Sequence, residues 1–234
     1  MPDSRSIGFR RSLFARVAAA ATGLTVFVAS GLPGCNVIVP VAYVLEGPGK
    51  IPAEFELRET STAVIVDDRD NNFPRTSLRA IVGVQITDQL IANEVLPGSM
   101  LVDARDMIGL TRALESSEKR VSIERIGREA GVEQVVYVQL EGFALTLDGV
   151  TPKPTAVCRV KVLDLSAGMR VFPVEEPSGN EITAEIREVD PALFESFAKR
   201  RRIEDDLAMR LGLVVAEVFY EHERVNLGEN LGIR

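Results

Sequence analysis

The chain reads as an α/β domain, a mixed sheet with helices packed on it, and three observations predict that class. A short β-branched run at residues 62–66 is bounded by charge, the pattern of a strand covered on both faces. Two long apolar-rich segments, 134–147 and 155–165, flank a connection rich in Gly and Pro, which predicts an antiparallel hairpin. Apolar residues recur at spacings of three and four over 78–91 and again over 203–218, the period of helices with one face on a core. In chain order the elements run β-α-β-α-α-β-β-β-α across residues 59–223.

Each element has a local reason. After the strand at 62–66, Pro74 opens a helical stretch carrying Leu78, Ile81, Val82, Ile86, Leu90 and Ile91, and Pro97-Gly98 ends it. Residues 100–102 form a short strand. Asp103 is then a natural N-cap for a helix with Met107, Ile108, Leu110 and Leu114. Ser122 caps a second short helix whose stripe is Ile123, Ile126 and Ala130, and Gly131 supplies its left-handed terminator. The hairpin follows, then a strand at 181–189. Asp190-Pro191 predicts an N-cap with Pro at the first helical position, and the helical pattern continues to about residue 223 with Ile203, Leu207, Leu211, Val214 and Val218 inward.

Composition bounds the function. The 234 residues are 46% apolar and 26% charged, enough material for one packed core. Within residues 1–34, Arg5, Arg10, Arg11 and Arg16 face only Asp3, a charge of +3. Since the whole chain carries -7, the remaining 200 residues carry -10. An acidic body without Trp argues against a nucleic-acid partner, which needs clustered Lys and Arg.

The amino terminus has the form of an export signal. A basic region ends at Arg16, residues 17–32 are uncharged and largely apolar, and Pro33, Gly34 and Cys35 follow. The stretch is shorter than the roughly 20 residues a membrane-spanning helix needs. Leu32-Pro33-Gly34-Cys35 resembles the lipobox of bacterial lipoproteins, with Pro33 where a small residue usually stands. That resemblance implies cleavage between Gly34 and Cys35, lipidation of Cys35, and a membrane-tethered protein facing the periplasm. Arg10-Arg11-Ser12-Leu13-Phe14 also looks like a loose twin-arginine signal. The expected organisation is a signal peptide at 1–34, the lipidated Cys and a tether at 35–58 whose end packs on the domain, the α/β domain at 59–223 and a tail at 224–234. With Cys35 acylated, Cys158 has no partner in the chain, and it shares an apolar strand face with Val160 and Val162, so it reads as a buried thiol.

Few residues suggest chemistry. Asp67-Asp68-Arg69-Asp70 follows the first strand, at the carboxyl edge where α/β sheets bind ligands. The Asp68-x-Asp70 spacing resembles the nucleophile and acid of haloacid-dehalogenase phosphatases, which would hold Mg²⁺ with Asp67, Asp68 or Asp70. The downstream residues of that site are missing, and the alternative is an acidic turn in which Asp70 or Asn71 bonds its own backbone. Glu221-His222-Glu223 reads as a surface helix end. Lys199-Arg200-Arg201-Arg202 is the one basic run, and Asp205 and Asp206 stand four residues from Arg201 and Arg202, where pairing along the helix would neutralise them. The same run is also of the kind that binds anionic lipid heads.

The segment order of residues 59–223 resembles the small α/β domain of the curli-export lipoprotein (CsgG) and the amino-terminal domain of the TolB translocation protein. A further likeness is to planctomycete-type envelope lipoproteins of uncharacterised activity. It rests on Val64-Ile65-Val66-Asp67-Asp68-Arg69, on Ile123-Glu124-Arg125-Ile126-Gly127-Arg128-Glu129-Ala130-Gly131 before Val135-Val136-Tyr137-Val138, and on Leu213 to Glu223, ending in Phe219-Tyr220-Glu221-His222-Glu223. The expectation is a non-catalytic envelope lipoprotein without cofactor, which binds the membrane through its lipid and another envelope protein or itself through its domain. A Mg²⁺-dependent phosphatase on Asp68 and Asp70, or a small-anion binding module, is the alternative.

Overall fold

The computed structural model describes residues 49–223, apart from 118–120, 147, 188 and 195. The chain divides into two units, Met1–Gly49 and Lys50–Arg234, and all of the first except Gly49 lies outside the described residues. The second unit contains strands β1 (Lys50–Ile51), β2 (Thr62–Asp67), β3 (Leu101–Val102), β4 (Gln134–Thr146), β5 (Pro152–Asp164), β6 (Met169–Phe172), β7 (Asn180–Glu185) and β8 (His222–Glu223). Its helices are α1 (Ser77–Ala92), α2 (Ala104–Ser117), α3 (Ile123–Glu129) and α4 (Phe197–Glu217).

The main sheet has the order β3-β2-β4-β5-β6, with β7 also on β5. β2 runs parallel to β3 and β4, whereas β4, β5, β6 and β7 are joined by antiparallel pairing. The sheet is therefore mixed, as the sequence predicts. Its parallel part is reached through helices and its antiparallel part through tight connections.

Two apolar cores follow from the alternation of strand side chains. Val64, Val66, Val136, Val138, Leu140, Cys158, Val160 and Val162 share one core with Leu78, Val82, Ile86 and Leu90 of α1 and Leu207, Leu211 and Val215 of α4. Ala63, Ile65, Val135 and Tyr137 share a second with Met107 and Ile126. Thus β2 and β4 lie between two helical layers. β5 and β7 are covered on one side, and on the other Arg159 bridges Glu141 and Glu181 in solvent. Each fully buried Leu, Ile or Val contributes about 1.5–3 kcal/mol against exposure.

The local signals hold in α2 and α3. Asp103 Oδ1 accepts the Arg105 amide (2.7 Å), Ser122 Oγ accepts the Arg125 amide (3.3 Å), and Gly131 has φ +69°. Three boundaries differ. Asp190 does cap a turn, accepting the Ala192 amide, but that turn is a short 3-10 segment (Pro191–Phe194), and the long helix starts at Phe197 with Ser196 as its cap. The last helix ends at Glu217, because the Val218 carbonyl accepts the amides of Glu54 (2.8 Å) and Phe55 (3.2 Å) from the incoming chain. Glu221-His222-Glu223 is consequently no helix end: His222 and Glu223 form β8, antiparallel to β1. The third difference is β6, which the sequence pattern did not predict. It occupies the same edge of β5 as β7, one after the other, with 173–179 looping out between them.

The last part of the expected tether packs on the domain. Leu57 is buried in the core and Phe55 stacks on Phe172 at 5.1 Å. Arg58 pairs with Asp164 at the far end of the sheet.

Cys158 is free and fully buried. Burial, with a contribution from the Glu141 charge, pushes its thiol up to about 12. Cys158→Ser is expected to lower unfolding stability by about 1–3 kcal/mol, since a hydroxyl there gains no partner. Denaturant titration checks the loss, and thiol labelling of the folded wild type should be slow; rapid labelling would contradict the burial.

Candidate functional site at the carboxyl edge of β2

β2 delivers its last residue, Asp67, to the carboxyl edge of the parallel part of the sheet, and the chain turns there through 68–76 into α1. The turn is built by Asp68, not by Asp70 or Asn71. Asp68 Oδ1 accepts the Asn72 amide (2.7 Å), Oδ2 accepts the Phe73 amide (3.1 Å), and its carbonyl accepts the Asn71 amide (3.3 Å). Asn71 takes φ +55°, a conformation Asn tolerates better than most residues. Asp68 is buried, 8% exposed, because these amides replace water around its carboxylate.

Asp67 faces a different set. Its Oδ2 accepts the Tyr137 hydroxyl (2.6 Å) and the Arg69 Nε, and its Oδ1 lies 3.8 Å from the Arg79 guanidinium of α1. Burial and then the hydrogen bond to the Asp67 carboxylate hold the Tyr137 phenol well above its usual range, so it stays a donor at physiological pH. Arg79 also lines a narrow crevice with Val66, Gly83, Ala104, Met107 and Thr111, where α1 and α2 meet over β2.

The three sequence-predicted carboxylates therefore do not converge. Asp67 binds Tyr137 and two arginines, Asp68 binds backbone, and Asp70 is exposed. Among the described residues no three His, Cys, Asp or Glu side chains are grouped to hold one metal ion. Gly34 and Cys35 lie outside the described residues. Sequence reasoning missed Tyr137 and Arg79 as partners of Asp67. The Tyr137 signal was available in principle, since parallel pairing sets Ile65 against Tyr137, two positions from Asp67.

Asp68→Asn separates two roles. An amide offers one acceptor to two backbone donors and turns its own N–H groups toward one of them, so the turn reading predicts a loss of about 1–3 kcal/mol in stability. Calorimetry checks the stability, and a Mg²⁺-dependent phosphate-ester assay checks turnover. Wild-type hydrolysis abolished by a substitution that left stability intact would favour the phosphatase reading.

A second charged cluster ties the same loop to α4. Arg75 donates from Nε to Glu204 (2.6 Å) and from Nη2 to Asp205 (2.6 Å) and the Arg201 carbonyl (3.2 Å). The expected neutralisation of Arg201 by Asp205 along one helix is thus replaced by a tie between loop and helix. Arg201 instead lies over the Phe197 ring, 5.5 Å from its centroid.

No protein-family model matches the chain, and no curated protein matches its sequence. Among solved structures it is similar to the hypothetical protein CT253 from Chlamydia trachomatis (15% identity, TM-score 0.42, covering 69% of this chain and 94% of that one). It is also similar to PelC, solved as a dodecamer, from Paraburkholderia phytofirmans (11% identity, TM-score 0.37, 73% and 91%). A third likeness is to lipoprotein GNA1162 from Neisseria meningitidis (9% identity, TM-score 0.40, 61% and 97%). These likenesses are too remote to carry a property from those proteins to this chain.

Proposed function

We propose that the chain is a non-catalytic, membrane-tethered envelope lipoprotein, cleaved between Gly34 and Cys35 and acylated on Cys35, whose α/β domain faces the periplasm as an interaction or assembly module. One observation carries this reading: Leu32-Pro33-Gly34-Cys35 directly after a basic region and an uncharged apolar stretch. The resemblance to planctomycete-type envelope lipoproteins, read from the sequence segments named above, points to the same address. Among the described residues no helix is long and apolar enough to cross a membrane. In this reading the acyl groups are the anchor.

The domain's partner is another envelope protein or a second copy. The phosphatase alternative is the weaker one, because both oxygens of Asp68 are engaged by backbone amides. Growth with an alkyne analogue of palmitate tests the anchor directly. Incorporation into the protein is expected, and a Cys35→Ala chain should incorporate none. Equal labelling of both chains, or of neither, would contradict acylation of Cys35.

A further inference from the structure

Helix α4 keeps one buried stripe through Leu207, Leu211 and Val215, all fully covered. Phe197 lies 18 residues before Val215, which at 3.6 residues per turn is five full turns, so it continues that stripe to the helix start. Yet Phe197 is 69% exposed. The first turn of α4 carries the apolar phase past the covered core.

Arg201 lies over one face of this ring and Arg200 stands one helical turn from it, while Lys199 and Arg202 extend the basic surface round the helix; all four are exposed. The acids that follow them in sequence are partly spent elsewhere: Glu204 and Asp205 bind Arg75, which itself adds a positive charge to this end. Asp206 stays within electrostatic reach of Arg202, and Lys199 Nζ donates to the Ala192 carbonyl (3.3 Å). The Lys199–Arg202 run presents four exposed cations in succession, and the α4 helix dipole adds to their sign at the start of the helix. Residues 35–234 together carry -10, so four consecutive exposed cations are a local exception on an acidic chain.

We propose that Phe197 and the Lys199–Arg202 run form a membrane-docking surface for anionic phospholipid headgroups, with the ring entering the interface and the guanidiniums binding phosphate. This rests on the lipid-anchored reading. Three features favour a bilayer as the occupant. Charge is complementary, and an acidic body is repelled from the same surface, which orients the basic end toward it. An exposed aromatic ring beside Arg and Lys is the composition of interfacial membrane contacts. Reach is sufficient: α4 is about 31 Å long, from its 21 residues at 1.5 Å each. β1 begins beside its far end, and the 15 residues from Cys35 to Lys50 extend to at most about 50 Å. A polybasic patch is the kind of second signal that turns lipid anchoring into fixed orientation.

The chain contains no Trp, so Phe197→Trp in the full acylated protein provides a unique fluorophore. In vesicles containing phosphatidylglycerol and brominated acyl chains, blue-shifted and quenched emission is expected. In phosphatidylcholine vesicles of the same bromination, quenching should be much weaker. Arg200→Glu, Arg201→Glu and Arg202→Glu together should reduce the quenched fraction about tenfold or more in anionic vesicles, with an unchanged circular dichroism spectrum. Unquenched Trp emission from a protein that remains vesicle-bound overturns the docking surface and leaves the anchor standing. Quenching that ignores lipid charge overturns headgroup recognition, and a blue shift without quenching, dependent on protein concentration, assigns the ring to a second copy. Failure of the anchor has a separate signature, equal vesicle flotation of the wild type and Cys35→Ala.

Discussion

In the lipid-anchored reading proposed above, Cys35→Ala is expected to move the protein from the membrane fraction to the soluble fraction. The reason is additive. Each buried acyl CH₂ is worth about 0.8 kcal/mol, and one myristoyl-length chain gives only marginal, reversible binding, whereas the two or three chains of a bacterial lipoprotein act together. Removing the thiol removes all of them at once. The basic end of α4 is too small to replace them: a few charges at about 1 kcal/mol each hold a protein reversibly and are screened by salt. Because an uncleaved precursor keeps the apolar residues 17–32, a second form is informative, with residues 1–34 exchanged for a cleavable secretory signal and alanine at 35. Membrane retention of that form in high salt would contradict an acyl anchor.

The sequence made the fold class legible because strands and helices that bury one face must repeat their apolar residues at two or 3.6. α1, α2, α3 and β5 obey that rule, and Thr62–Asp67 and the first half of β4, covered on both faces, show instead the continuous apolar run such strands need. It fails where length or tertiary contact decides. β6 is four residues long and sits before Pro173, too short to show a period, and it becomes a strand only because β5 has a free edge beside it. The end of α4 is set by amides of Glu54 and Phe55, about 160 residues away in sequence, which no local signal encodes.

The candidate site divides in the same way. That an acidic turn follows β2 was readable from Asp67-Asp68-Arg69-Asp70. Which carboxylate closes the turn was not, since Asp68, Asp70 and Asn71 can all make such bonds and only the direction of α1 selects Asp68. Likewise, spacing pointed Asp205 at Arg201, but Arg75 offers a two-pronged contact to Glu204 and Asp205. A guanidinium held by two carboxylates is better satisfied than a pair along one helix face, worth only about 0.2–0.5 kcal/mol.

Gly212→Val is expected to destabilise the domain by about 3 kcal/mol or more, because it forces apart the two helices that position this edge of the sheet. A Cβ at 212 would stand 2.7 Å from Gln85 Cβ and 2.9 Å from the Val82 carbonyl oxygen, both on α1. The second contact is with backbone, so a rotamer change cannot relieve it. The two branches of Val add volume to a contact already too close for one carbon. α1 and α4 must then separate along the line where Val82, Ile86, Leu207 and Leu211 are fully buried. Separation opens gaps in that core, and it pulls Arg75 away from Glu204 and Asp205. Gly212→Ala should follow the same direction with a smaller loss. Denaturant titration gives the size of both effects. Thiol labelling gives an independent reading, since Cys158 shares this core and should label faster in Gly212→Val than in the wild type. Unchanged stability with unchanged Cys158 protection would show that the helices do not approach this closely at Gly212.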